Sequence, residues 1–215
     1  IYKKYYPTGI LKQTCNYVDN DKNGYDKIFF ENGKKDYCSQ YKNGIKHGFS
    51  RNFYAITHHI KSNYNYKNGN IDGICTQYYE NGQILSLCMY HDGVKDGIET
   101  EYYVDGNVKS TCNYYLGDKV GLETHYYKNN NINYIKKIKK TIDHDFMYDN
   151  DISEVANVNF YYESGGLKAN GKIKNDVQID YSEAYDEDGN LNKILFYKNG
   201  EEIDRNFIDD ECISV

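Results

Sequence analysis

The sequence is short of the residues from which a thick core is built. Tryptophan is absent, proline occurs once, and the hydrophobic content of 39% includes 26 tyrosines. So modest an aliphatic fraction leaves a two-layer core hard to fill. It fits a thin sheet, in which tyrosine buries its ring and keeps its hydroxyl wet.

Other absences exclude whole classes of function. The net charge of −6 and pI of about 5.5 provide no basic stripe of the kind that neutralises phosphates, so nucleic acid is not an expected partner. No apolar run approaches the roughly 18 residues needed to span a bilayer, and no segment reads as a signal peptide. The chain is therefore expected to be cytoplasmic or intracellular and not transmembrane. Six cysteines show no CxxC spacing, which argues against zinc or thioredoxin-like chemistry and for reduced thiols. There is no G-x-S-x-G, P-loop or dinucleotide glycine pattern. His58 and His59 are adjacent and would point to opposite faces of an extended chain. His47, His91, His125 and His144 are scattered. The acidic run Asp143–Glu154 lacks the spacing and the glycine of an EF-hand. No catalytic residue, metal ligand or cofactor is expected.

What is present is repetition. Tyr78–Gly97 reads YYENGQILSLCMYHDGVKDG and Tyr102–Gly121 reads YYVDGNVKSTCNYYLGDKVG, with Gly82 and Gly106 offset by 106−82 = 24 residues. A fixed period in the range of about 20–50 residues marks a repeat array. Turn glycines at Gly9, Gly33, Gly82, Gly106, Gly165 and Gly189 follow the unit through the chain. His58 and Asn130 stand where two further glycines are expected, and Asn is the best substitute for glycine in a left-handed conformation. The third unit carries one extra residue, since 66−54 = 12 against 90−79 = 11. From Asn130 to Gly165 is 35 residues, about eleven more than one period. The expected organisation is a repeat array over 1–140, an irregular insertion at 141–156, two further repeats over 157–203, and a tail or cap at 204–215.

Within a unit the hydrophobic alternation has period two, which means strands. One follows the second glycine (Ile74–Tyr79) and one follows the turn (Ile84–Tyr90). A three-residue loop at Glu80–Gly82, with Gly82 left-handed, places Tyr78 opposite Ile84. Ile74, Thr76 and Tyr78 are then expected to share a buried face with Ile84, Ser86, Cys88 and Tyr90. Glu99, Glu101, Glu123 and His125 would face water, and Cys75 would lie on the face opposite Cys88. Cys15, Cys88 and Cys112 read as small buried fillers of one column. A single-layer sheet offers the carboxylates no obvious concave pocket.

The spacing of Tyr78, Tyr79, Asn81, Gly82, Tyr90, Gly93 and Gly97 resembles the MORN repeat, most closely a variant often attached to bacterial antitoxin-like proteins. The resemblance covers nearly the whole chain, with departures at His58, Asn130 and Asp176. It implies an all-β, elongated single-layer antiparallel β-meander of about eight hairpin repeats with a 24-residue period, and no catalytic motif. The function expected is a non-enzymatic repeat scaffold that binds another protein or itself. Two alternatives are an antitoxin-like protein that neutralises a toxin partner and a membrane-surface adaptor using the basic run Ile135–Lys140. The candidate protein-contact face comprises Tyr79, Leu85, Leu87, Met89, Tyr103 and Tyr127. Those rings serve equally well to brace neighbouring hairpins.

Overall fold

A computed structural model describes residues 1–139, 155–174, 177–198 and 201–203. The acidic run Asp143–Glu154, most of the expected insertion, Asp176 and the tail 204–215 lie outside the described residues. Among the described residues there are eighteen strands and no helix. They fall into two units: Ile1–Asn107 with Tyr114–Asp118, and Val108–Asn113 with Lys119–Val215.

The first unit holds β1 (Tyr2–Tyr5), β2 (Leu11–Val18), β3 (Asp21–Phe29), β4 (Lys35–Lys42), β5 (Ile45–Phe53), β6 (Ile60–Lys67), β7 (Asn70–Ile71), β8 (Gly73–Tyr78), β9 (Ile84–His91) and β10 (Val94–Tyr102). The division falls within β11 (Val108–Tyr115). The second unit continues with β12 (Asp118–Tyr126), β13 (Ile132–Lys139), β14 (Val155–Tyr161), β15 (Leu167–Lys174), β16 (Val177–Tyr185), β17 (Leu191–Lys198) and β18 (Glu201–Ile203). Each unit is an antiparallel meander in which successive strands pair, except that β6 pairs with both the short β7 and β8.

Two kinds of turn alternate. The first is the expected three-residue loop. Tyr79 N–H donates to the Gln83 carbonyl at 2.8 Å, Gly82 N–H donates to the Tyr79 carbonyl at 2.9 Å, and Gly82 has φ +88°. The other five expected turn glycines also have positive φ. Asn130 (φ +69°) and His58 (φ +61°) occupy the same left-handed slot. At His58 the loop is one residue longer, because Tyr54 N–H reaches the His59 carbonyl, and this absorbs the extra residue of the third repeat. The second kind of turn has two central residues, both at positive φ, as in Asn43–Gly44 and Asp92–Gly93. This mirror-image geometry matches the right-handed twist of the strands it joins.

The register corrects the expected assignment of faces. Tyr78 does oppose Ile84, but Gln77 opposes Ser86, so Leu85 is an extra residue. The same shift follows every three-residue loop for which the pairing is described, for example Tyr5–Leu11 to Lys4–Gln13 and Tyr161–Leu167 to Phe160–Ala169. One bulged residue exchanges the two faces of one strand relative to its partner. Cys75 therefore opposes Cys88 on one face, and Ile74 opposes Met89 on the other. Ile74, expected to be buried, is 53% exposed, and Ile98 and Leu122, at the matching positions of the next two repeats, are 60% and 49% exposed. Glu99, expected in water, opposes Cys88, and Glu123 is buried.

The core of the first unit is accordingly a line of small residues running across the strands. Cys15, Asp26, Ser39 and Ser50 oppose one another in turn across β2–β5, and Cys75, Cys88 and Glu99 continue the pattern across β8–β10. Cys15, Cys88 and Cys112 are buried as expected. Tyrosines flank the line, each set against a glycine: Tyr41 opposite Gly24, Tyr66 opposite Gly48, Tyr90 opposite Gly73. Burial pushes the Tyr90 hydroxyl up to about 12, as a ring laid over the sheet requires. In the second unit Ile138, Ala156 and Val158 form an aliphatic equivalent.

Candidate interaction faces

The tyrosine pair that opens each unit divides its work. The hydroxyl of Tyr79 donates to the backbone carbonyl of Tyr102, in the next repeat, at 2.7 Å. Tyr6 does the same to Phe29 at 2.8 Å, Tyr54 to Tyr78 at 2.7 Å, Tyr127 to Tyr161 at 3.0 Å and Tyr162 to Tyr185 at 2.7 Å. Tyr79, Tyr103 and Tyr127 are all half-buried. Each bond satisfies a carbonyl of the neighbouring hairpin, which is a bracing role.

Leu85, Leu87 and Met89 sit differently. Leu85 is the bulged residue, while Leu87 opposes Thr76 and Met89 opposes Ile74. On β10, Thr100 opposes Leu87, and an added Cβ on Gly97, beside Ile98, would lie 3.4 Å from Met89 Cβ. Ile74, Met89 and Ile98 thus form an exposed aliphatic cluster with Leu87 at its edge. The sequence alone placed Leu87 and Met89 on a candidate contact face and Ile74 in the core.

The buried face carries charge, including Glu99 and Glu123, which alternation along the strand places in solvent. Lys22 Nζ lies 2.6 Å from Asp26, Lys95 Nζ 2.6 Å from Glu99, and Lys119 Nζ 2.8 Å from Glu123. Lys22 also sits over the Tyr41 ring, and Lys95 over the Tyr114 ring at 4.6 Å. Lys46 lies over Tyr66 and Tyr37, where Ser50 replaces the acid. The signal was legible as Lys-x-Gly-x-Asp/Glu: KNGYD at Lys22–Asp26, KDGIE at Lys95–Glu99, KVGLE at Lys119–Glu123.

Among the described residues of the second unit, concavities lie on both faces of the sheet, where a single layer was expected to offer no obvious pocket. Twist and bulges dish the surface between strands. One, of about 420 Å³, is lined by Ile135, Lys137, Asn157, Asn159, Asn170 and Glu183 among others. The other, of about 310 Å³, is lined by Lys119, Glu123, Tyr134, Lys136, Val158 and Phe160 among others. Hydrogen bonding from His125 (3.2 Å), with Lys119 beside it, holds the Glu123 carboxyl down to about 2. Bonds from Tyr185 (2.6 Å) and Asn170 (2.9 Å) lower that of Glu183. Both carboxylates stay ionised at neutral pH, and neither is poised to donate a proton.

Alternation along β13 places Lys136, opposite Val158, and Lys137, opposite Asn157, on different faces, which divides the basic run. His59 Nδ1 lies 2.9 Å from the Glu80 carbonyl oxygen, and His91 lies 3.5 Å from Asp72. Among the described residues no three His, Cys, Asp or Glu side chains come together as a metal site, and no helix is long and apolar enough to cross a membrane.

Recurrent loops, bulges and hydroxyl braces define a β-hairpin repeat protein. Residues 1–19, 71–92, 95–114 and 182–199 are similar to the family model of the MORN repeat variant. No curated protein matches it.

Proposed function

We propose that the chain is a non-enzymatic scaffold that binds another protein on the aliphatic face of its first unit. The observation that carries this reading is the cluster of Ile74, Met89 and Ile98, each two-fifths or more exposed on β8–β10. Exposed aliphatic side chains grouped on a sheet are typical of protein contacts. Tyr79 and Tyr127 are engaged in bracing, whereas this cluster is exposed apolar surface. The non-enzymatic part rests on MORN variant repeats and on carboxylates held in ionised pairs.

The test is affinity capture of the full chain from its native lysate, followed by mass spectrometry, for wild type and for Ile74→Lys with Ile98→Lys. The expected result is a stoichiometric partner lost in the variant while circular dichroism is unchanged. A second copy of the chain counts as such a partner and is read by light scattering. Partners retained at wild-type yield, or a strictly monomeric chain that captures nothing, would overturn the reading.

A further inference from the structure

Cys75 and Cys88 face each other directly across β8 and β9. Neither is in a disulfide, and the two are 5% and 6% exposed, on the same side of the hairpin. Directly opposed residues of an antiparallel pair have Cα atoms roughly 4.5–5.5 Å apart, inside the roughly 4.4–6.8 Å window of a disulfide. From the hydrophobic alternation alone the two thiols belong on opposite faces; the Leu85 bulge brings them together.

We propose that Cys75 and Cys88 form a reversible modification site, an intramolecular disulfide made by exchange with a small-molecule disulfide of the glutathione class. In the first step one protein thiolate attacks a sulfur of the small disulfide, breaking its S–S bond and expelling one small thiol. In the second, the facing thiolate attacks the protein sulfur of the mixed disulfide and expels the other small thiol. Two protein thiols are oxidised, one small disulfide is reduced, and the two protons leave on the two small thiols. Burial raises the Cys75 thiol to about 11, so exchange runs through local opening of the hairpin and is slow. Once formed, the bond ties β8 to β9 beneath the aliphatic face.

The test incubates the full chain with excess oxidised glutathione, alkylates the remaining thiols after denaturation, and maps the peptides. The expected product is one peptide pair joining Cys75 to Cys88, lost on reduction, with Cys15, Cys38 and Cys112 still alkylated. Its melting temperature should rise by several degrees over that of the reduced chain. Cys75→Ser and Cys88→Ser should each abolish both the linkage and the rise. Serine is native to the same line at Ser39 and Ser50, so these variants are expected to fold, and circular dichroism checks that they do. Failure to find the linked pair under conditions that oxidise the urea-unfolded chain would overturn the proposal. So would linkage between chains, or mixed disulfides at either cysteine that never resolve.

Discussion

Lys95 holds the carboxylate of Glu99 at 2.6 Å, although in an extended strand four residues span about 13 Å. The strand between them is not extended. Lys95 opposes Tyr90 and Glu99 opposes Cys88, so four steps on β10 are set against two on β9. Gly97, at φ +115°, takes up the slack. An equivalent bulge around Gly24 (φ +98°) brings Lys22 to Asp26, and Gly121 (φ +71°) stands at the same place between Lys119 and Glu123. The glycine of the Lys-x-Gly-x-acid motif is thus what permits an ion pair on the buried face.

Replacing Lys95 by Met should leave the Glu99 carboxylate, 19% exposed, without its cation. A loss of about 1–3 kcal/mol at pH 7 is expected, because a half-buried charge then goes unpaired. Lys46→Met is the control, since Ser50 leaves no acid behind and the loss should be smaller. Urea unfolding of both variants decides it; equal losses would count against the ion pair.

Glu123 makes stability sensitive to acid. Its folded value of about 2 lies below the ordinary 4.5, so its contribution is complete above about pH 4.5 and disappears as pH falls towards 2. The size is at most about 3 kcal/mol. Glu123→Gln should be less stable at neutral pH and show a flatter stability profile between pH 5 and 2. Parallel profiles for wild type and variant would refute this.

Tyr79→Phe removes only the hydroxyl that caps the Tyr102 carbonyl. A loss of about 0.5–1.5 kcal/mol is expected. The chain contains its own reference at Phe30, which stands 54−30 = 24 residues before Tyr54 and has no hydroxyl. Phe30→Tyr should stabilise by a similar amount or less. Thermal melts of the two variants should move in opposite directions.

Gly48→Ala and Gly106→Ala separate backbone strain from crowding. Both glycines have φ near +95°, which costs an alanine about 1–2 kcal/mol. A Cβ on Gly106 meets nothing, whereas one on Gly48 would lie 2.1 Å from Gln40 Oε1. Gln40 cannot swing away freely, since it accepts from Phe49 N–H and donates to the Tyr25 hydroxyl. Gly48→Ala should cost about 1 kcal/mol more, read from denaturation midpoints at equal slope.

Much of this architecture was legible residue by residue. Period-two alternation called for strands, and the glycine positions called for left-handed turns. Asn130 could be read as a stand-in because its own backbone preference suffices. These are local properties, set within a few residues, so the sequence alone determined an all-β antiparallel meander and the places where it turns. Leu87 and Met89 could likewise be read as surface from their alternation along one strand.

Which face is buried was a different matter. Ile74, Glu99 and Cys75 were each expected on the wrong side for a single reason: the bulged residue after every three-residue loop. A bulge is a property of two strands pairing, and alternation within one strand is the same with or without it. Only the tertiary register decided that Cys75 meets Cys88, that lysine–carboxylate pairs line the buried face, and that Ile74 and Ile98 stand out in solvent. Side-chain direction repeats every two residues, so a slip of one between neighbouring strands is enough to exchange inside and outside.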